Sequence, residues 1–122
     1  TIEVLDAPLM HALASAAIPR IASFNVQALS NTSWAFAKLD VLHESLLAAI
    51  SSKALSIMAE YDAQALSNTV WALARLEVWD KPLFDAIAAA AIAMNEELTT
   101  QEISNIAWAV AKLWSYHVPL LK

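Results

Sequence analysis

Residues 27–39 read Gln27-Ala28-Leu29-Ser30-Asn31-Thr32-Ser33-Trp34-Ala35-Phe36-Ala37-Lys38-Leu39, and the chain repeats this stretch twice with few changes. The second copy spans 64–76 and the third spans 101–113, so each copy lies 37 residues after the previous one. A strict period of this length is typical of repeat arrays, in which each unit buries its apolar side against its neighbours. The sequence therefore predicts a repeat protein rather than a globular enzyme.

Each copy is preceded by a signal for a helix start. Asn25, Asp62 and Thr99 stand two positions before the repeated glutamine, and all three are preferred N-cap residues. A second set of helices, with apolar residues at helical spacing, is expected to begin near Asp6, His43 and Asp80. The first helices of the three units are predicted at 26–39, 63–76 and 100–113.

Two helices per period and no strand signal predict an all-α protein, an α-solenoid of about three 37-residue helix-turn-helix repeats stacked with a right-handed twist. The polar caps that usually close such an array are missing from the sequence. We therefore expect an interior part of a longer array, or ends that a partner covers. The predicted repeats are 6–42, 43–79 and 80–116, with partial flanking repeats at 1–5 and 117–122.

Two residue types set expectations for the connections between helices. The chain contains no glycine, so its turns are expected to avoid the left-handed conformation that glycine usually supplies. Pro19 aligns with Ser56 and Ala93, so the helix before it is expected to end early or to kink.

Composition limits the classes of protein and partner. A chain of 122 residues with 59% hydrophobic and 16% charged residues is expected to fold around a large apolar interior. No apolar run is long enough to cross a bilayer, so no membrane insertion is expected, and no targeting segment is visible. The net charge of -5 opposes nonspecific attraction to polyanions.

A stripe of polar and aromatic side chains recurs along the first helix of every unit, at spacings of four, three and four residues. One interpretation is a groove for single-stranded RNA, in which indoles or amides meet bases and one cation per repeat meets phosphate. The alternative, which we favour for Trp and Asn, is structural, with Trp filling space between helices and Asn bonding to neighbouring backbone. The stripe comprises Gln27, Asn31, Trp34, Lys38, Gln64, Asn68, Trp71, Arg75, Gln101, Asn105, Trp108 and Lys112.

The cations are ambiguous evidence, because Lys38, Arg75 and Lys112 stand in the last turns of their helices, where the helix dipole favours positive charge by about 0.3–1 kcal/mol. Positions that vary between copies on these helices carry mostly small or apolar residues, which read bases poorly.

Two further tryptophans are candidate protein contacts. Trp114 stands where the other copies have Asp40 and Glu77, and Trp79 stands where another copy has Leu42. Exposure to a partner and packing against a neighbouring unit remain equal alternatives for both indoles.

No set of residues suggests catalysis. His43 and His117 are equivalent positions too far apart to share a metal, and His11 is expected to stand alone on its helix. Carboxylate pairs, nucleophile–base sets and glycine-rich phosphate loops are missing from the sequence, and cysteine is absent. We therefore predict no enzyme activity, no cofactor, no metal site and no small-molecule substrate.

The pattern Leu-Ser-Asn-Thr-x-Trp-Ala-x-Ala-(Lys/Arg)-Leu at 29–39 and 66–76, with a looser copy at 103–113, resembles the octotricopeptide-type and heptatricopeptide-type helical repeats. It also resembles the helical repeats of proteins that carry a RAP domain and of an accessory subunit of mitochondrial RNA-editing complexes. The resemblance implies an α-solenoid that works on RNA maturation, stabilisation, editing or ribosome assembly in a mitochondrion or plastid.

Two functions follow from these observations and remain open. By the resemblance, the chain is a noncatalytic module that binds single-stranded RNA. By its acidic balance and uncapped ends, it is a scaffold or accessory subunit that contacts other proteins of a large complex or flanking repeats of its own chain.

Overall fold

The computed structural model describes residues 6–117, and the partial repeats expected at 1–5 and 118–122 lie outside the described residues. The described part contains six α-helices and no strand, which confirms the all-α fold class. The helices are α1 (Asp6–Ala17), α2 (Val26–Lys38), α3 (Glu44–Ser56), α4 (Ala63–Arg75), α5 (Lys81–Ala93) and α6 (Thr100–His117). Short 3₁₀ helices follow α1, α3 and α5, at Ile18–Ser23, Met58–Glu60 and Asn95–Glu97.

Side-chain caps fix where the helices begin. Asn25 and Asp62 accept hydrogen bonds from the backbone N–H groups three residues on, each at 2.8 Å, as their residue types predict. At α6, the Thr99 hydroxyl accepts from the N–H of Glu102 at 3.2 Å, while the Glu102 carboxylate accepts from the N–H of Thr99 at 2.9 Å. This reciprocal pair is a capping box. The starts predicted for α2, α4 and α6 are therefore confirmed.

Helices α3 and α5 also begin at side-chain caps. His43 Nδ1 accepts from the N–H of Leu46 at 3.1 Å, and Asp80 Oδ1 accepts from the N–H of Leu83 at 3.0 Å. Asp80 also accepts a hydrogen bond from the Ser51 hydroxyl through its other oxygen. One carboxylate therefore caps α5 and joins it to α3.

The turns after α2 and α4 contradict the expectation drawn from the lack of glycine. Asp40 and Glu77 adopt the left-handed conformation, with φ of 61° and 58°. At the first turn, the N–H of Val41 donates to the carbonyl of Phe36 at 2.8 Å, and the N–H of Asp40 donates to that of Ala37 at 3.0 Å. The same two bonds close the turn after α4, so both are Schellman motifs built without glycine. The backbone bonds satisfy the final carbonyls of each helix and offset the conformational cost of the left-handed residue.

The third copy ends in another way. Its helix was expected to stop near Leu113, but α6 continues to His117. The residue at the position of Asp40 and Glu77 is Trp114, and a bulky side chain is disfavoured in the left-handed region. The connection expected before His117 is therefore helical. Pro19 behaves as expected, since α1 gives way to a 3₁₀ helix after Ala17.

The helices pack in two rows. In one row α4 lies between α2 and α6, and in the other α3 contacts both α1 and α5. Helix α4 is the most buried, because it has a helix of its own row on either side. The division into repeats at 6–42, 43–79 and 80–116, the solenoid and its handedness stay predictions.

Three hydroxyl groups are buried in the core without a hydrogen-bond partner among the described residues. They belong to Tyr61, Ser67 and Thr69. Burial raises the pKa of Tyr61 to about 12, and this effect outweighs the lowering by the nearby Thr69 side chain. Phe24 fills the equivalent place in the first unit without a hydroxyl.

Candidate functional site

The amide half of the predicted stripe lines a groove between α2 and α4. Gln27 and Asn31 come from α2, and Gln64 and Asn68 come from α4. The groove has a volume of about 440 Å³. We call it the amide groove. Its remaining lining residues are Asn25, Val26, Ser30, Glu60, Asp62 and Ala65.

The repeat places these amides together. Glutamine and asparagine four residues apart share one helix face, and the parallel copies on α2 and α4 put the two pairs opposite each other. Within the described chain, none of the four amide side chains makes a hydrogen bond. Each amide therefore keeps its N–H donors and carbonyl acceptor for another molecule. The interpretation in which Asn31 and Asn68 bond to neighbouring backbone is wrong.

Two carboxylates stand at the same groove, and the sequence analysis placed neither of them in the candidate site. Asp62 lines the groove while it caps α4, and Glu60 belongs to the 3₁₀ helix just before it. Glu60 aligns with Ser23 and Glu97, a position outside the repeated stretch. The motif therefore gave no signal for it.

The third copy of the amide pair differs from the other two. Gln101 Nε2 donates to Asn105 Oδ1 at 3.0 Å along α6. The two amides thus satisfy part of each other's hydrogen-bonding capacity. The open amide surface is concentrated between α2 and α4.

The aromatic half of the stripe lies further along the helices. Trp34 and Trp108 are exposed, at 42% and 44% of their surface, and the interpretation in which the stripe tryptophans fill space between helices stays a prediction. Lys38 and Lys112 place their ammonium groups 5.8 Å and 5.2 Å from the centroids of these rings, within the range of a cation–π contact.

The middle copy is packed more tightly. Trp71 is half-buried against an apolar cluster that includes Ala37 and Leu76, because α4 has a neighbour on each side. Arg75 is exposed at the end of α4. None of the three stripe cations, Lys38, Arg75 or Lys112, lines the amide groove. The RNA hypothesis expects the cations to share a groove with Trp or Asn side chains. The amide groove contains none of the cations, whereas Lys38 and Lys112 lie beside Trp rings.

The two other tryptophans fall into different surroundings. Trp114 is 42% exposed on α6. Trp79 is half-buried and packs on Phe84, with ring centroids 5.1 Å apart. Trp79 also lines a cavity of about 380 Å³ on the α3 side, together with Leu42 and Leu47.

His11 is the one histidine on α1, as expected, but a histidine from the start of α3 lies near it. The ring of His11 lies 5.6 Å from that of His43, centroid to centroid. In residues 6–117, no three side chains of His, Asp or Glu lie close enough together to hold a metal ion. Over the same residues, no helix has the length and apolar character needed to cross a membrane.

Comparison with known proteins bears on the family. A family model described as RNA-editing substrate-binding complex 6 protein matches residues 2–122, nearly the whole chain. The chain belongs to the RNA-editing substrate-binding complex 6 protein family. No curated protein matches the chain.

The RNA-editing substrate-binding complex 6 protein family replaces the family predicted from the motif. The identification with octotricopeptide-type, heptatricopeptide-type and RAP-associated repeats is wrong. A repeated Leu-Ser-Asn-Thr-x-Trp-Ala segment indicates a helix that packs its apolar face against a partner helix. Such a segment is compatible with more than one family of helical repeats.

Proposed function

We propose that the chain is a noncatalytic α-solenoid that serves as a protein-binding subunit of an RNA-editing complex. The family description names such a complex, which favours a scaffold or accessory role over the RNA-binding role that the motif first suggested. The predicted organellar location stays a prediction.

The amide groove carries the proposal. Its four amides offer donors and acceptors at the same time, as the backbone of an extended protein segment does. Hydrogen bonds from these side chains to the main chain of a partner give affinity without requiring one particular side chain of the partner.

Charge supports a protein partner over RNA at this groove. Glu60 and Asp62 line it, and the chain as a whole carries a net charge of -5. Carboxylates repel phosphates, and no lysine or arginine lines the groove to neutralise them. A protein segment with basic side chains beside an extended backbone fits these groups best.

Single-stranded RNA is the second candidate, and a different observation favours it. Trp34 with Lys38 and Trp108 with Lys112 present an exposed indole beside a cation. An indole stacks on any base, and a cation beside it neutralises phosphate. These pairs lie outside the amide groove, so the two candidates predict different contact sites.

Photocrosslinking inside the assembled complex tests the proposal. Benzoylphenylalanine replaces Gln64, which is exposed in the amide groove, and the complex is irradiated and then treated with nuclease. We expect an adduct with another protein that survives nuclease and is lost on protease treatment. Benzoylphenylalanine in place of Ser52, which is exposed on α3, is the matched control and gives no such adduct. An adduct that carries RNA at position 64 would contradict the proposal, as would no adduct at all.

A further inference from the structure

The cavity that Trp79 lines is a groove between α3 and α5, at the far end of α4 from the amide groove. It has a volume of about 380 Å³, and Leu73 in the last turn of α4 adds to its wall. The groove lies between two helices that contact each other, rather than on the outer side of their row. No residue lines both this groove and the amide groove. We call it the indole groove.

Apolar side chains form part of the indole groove. Leu47 is buried, whereas Leu42 is 50% exposed. Trp79 lines the groove as well, and its ring packs on Phe84 with the centroids 5.1 Å apart. The face of an indole attracts cations, and an arginine guanidinium stacks on it. The groove therefore offers a surface for an aliphatic chain that ends in a cation.

Three carboxylates stand around the same groove, and no lysine or arginine lines it. They are Glu44, Glu77 and Asp80. Asp80 is already engaged, because it caps α5 and accepts a hydrogen bond from the Ser51 hydroxyl. Glu44 and Glu77 are exposed, and within residues 6–117 neither carboxylate has a hydrogen bond or an ion pair. These two carboxylates therefore keep their acceptors for a cation from another molecule.

The carboxylates are spread around the groove instead of meeting at one point. In the described part of the chain, no three side chains of His, Asp or Glu lie close enough together to hold a metal ion. A guanidinium suits separated acceptors, because it has five N–H donors arranged around one plane. Lys81, the cation nearest in sequence to Asp80, pairs with Asp85 at 2.6 Å and does not line the groove. The groove thus fits an arginine side chain better than a metal ion.

The repeat does not require the residues that give the indole groove its character. Glu44 corresponds to Ala7 one unit earlier and to Lys81 one unit later. Trp79 corresponds to Leu42 one unit earlier. Side chains that differ in chemistry between copies are not needed for the packing that all copies share. The acidic and aromatic lining is therefore particular to this junction between units.

We propose that the indole groove binds an arginine side chain of another protein. The guanidinium stacks on Trp79 and donates hydrogen bonds to Glu44 and Glu77. Its aliphatic stem packs on Leu42. Charge complementarity determines the class of partner, because the groove has three carboxylates and no cation, and these repel the phosphates of a nucleic acid. The proposal goes beyond the amide groove and does not rest on it.

Peptide binding to the purified chain, followed by NMR, tests the proposal. The probe is acetyl-leucyl-arginyl-leucine amide, and two matched peptides carry citrulline or lysine in place of arginine. Citrulline has the shape of arginine without its charge. Binding is measured at the indole N–H resonance of Trp79 in heteronuclear spectra of labelled protein, and the Trp79→Phe variant assigns that resonance.

Two double variants accompany the peptides. Glu44→Gln combined with Glu77→Gln removes charge from the groove and keeps the shape of both side chains. Glu96→Gln combined with Glu97→Gln is the matched control, because these glutamates are exposed on the 3₁₀ helix after α5 and do not line the groove. All four glutamates are exposed, so both double variants should fold normally. The dispersion of the same spectra verifies the fold.

We expect saturable shifts with the arginine peptide, and binding that is at least about tenfold weaker in the Glu44→Gln, Glu77→Gln variant. The control variant should bind as the unaltered chain does, and the citrulline and lysine peptides should bind at least about tenfold more weakly than the arginine peptide. Equal binding of either substitute peptide, or equal binding by the groove variant, would overturn the proposal. So would the absence of a saturable shift. Shifts of the Trp79 resonance on dilution without peptide would also overturn it, because they would place a second copy of the chain in the groove.

Discussion

Individual side chains of the same type have different surroundings in the three copies, and this is where the sequence was least informative. Trp34, Trp71 and Trp108 are identical in the repeat, yet only Trp71 is substantially covered. The difference comes from neighbours, because α4 has a helix of its row on each side, whereas α2 and α6 each have one within the described residues. Spacing along one helix predicts that residues share a face, and it does not predict what covers that face.

Tyr61 provides a prediction at this scale. Its buried hydroxyl has no hydrogen-bond partner, so Tyr61→Phe removes an unpaired polar group and reproduces Phe24 of the first unit. At pH 7 we expect the free energy of unfolding to stay the same or rise slightly. Urea unfolding followed by circular dichroism measures it.

The same substitution has a pH signature. The pKa of Tyr61 is raised in the fold from 10.0 to about 12, so the folded state holds this proton more tightly than the unfolded state does. The resulting stabilisation is complete below pH 10 and is lost as pH rises towards 12. Between neutral pH and about pH 11, the free energy of unfolding should therefore fall by roughly 1 kcal/mol more in the unaltered chain than in the Phe variant. Equal losses in both chains would show that burial does not raise the pKa of this phenol.

Helices are the scale at which the sequence predicted most. The N-caps Asn25, Asp62 and Thr99 are local signals, and each helix begins where its cap predicts. Helix ends were harder to predict, because the expected signal is glycine and the chain has none. Asp40 and Glu77 take the left-handed conformation only because two backbone hydrogen bonds and the packing of the next residue hold them there.

These turns lead to a prediction about helix ends. Glu77→Gly and Asp40→Gly should each stabilise the fold by about 0.5–1 kcal/mol. Glycine avoids the cost of roughly 1–2 kcal/mol that the left-handed region imposes on a residue with a Cβ. Part of this gain is offset because glycine loses more chain entropy on folding. Ala89→Gly, at an exposed position inside α5, is the matched control and should destabilise by about 1 kcal/mol. Urea unfolding at neutral pH compares the three variants. A loss of stability for Glu77→Gly equal to that of the control would contradict the Schellman assignment.

At the scale of the whole molecule, a period of 37 residues predicted the fold class correctly. The same period did not predict the family. The matching family model, over residues 2–122, belongs to the RNA-editing substrate-binding complex 6 protein. Sequence analysis found the amides of the candidate site and missed Glu60, which enters the amide groove from the connection before α4. Groups supplied by a connection that varies between copies lie outside any repeat motif. The structure was therefore needed to see that the amide groove is acidic.

The central claim is that the amide groove binds a protein of the complex. It is tested by replacing Asn31 and Asn68 with alanine together and measuring co-sedimentation with the assembled RNA-editing complex on a gradient. Both side chains reach solvent and bond to nothing in the described chain, so the double variant should fold normally. Asn95→Ala, an exposed amide on the 3₁₀ helix after α5, is the matched control. We predict that the Asn31→Ala, Asn68→Ala variant sediments as the free chain, while the control stays with the complex. Co-sedimentation of the double variant at the level of the unaltered chain would show that the amide groove does not bind a protein of the complex.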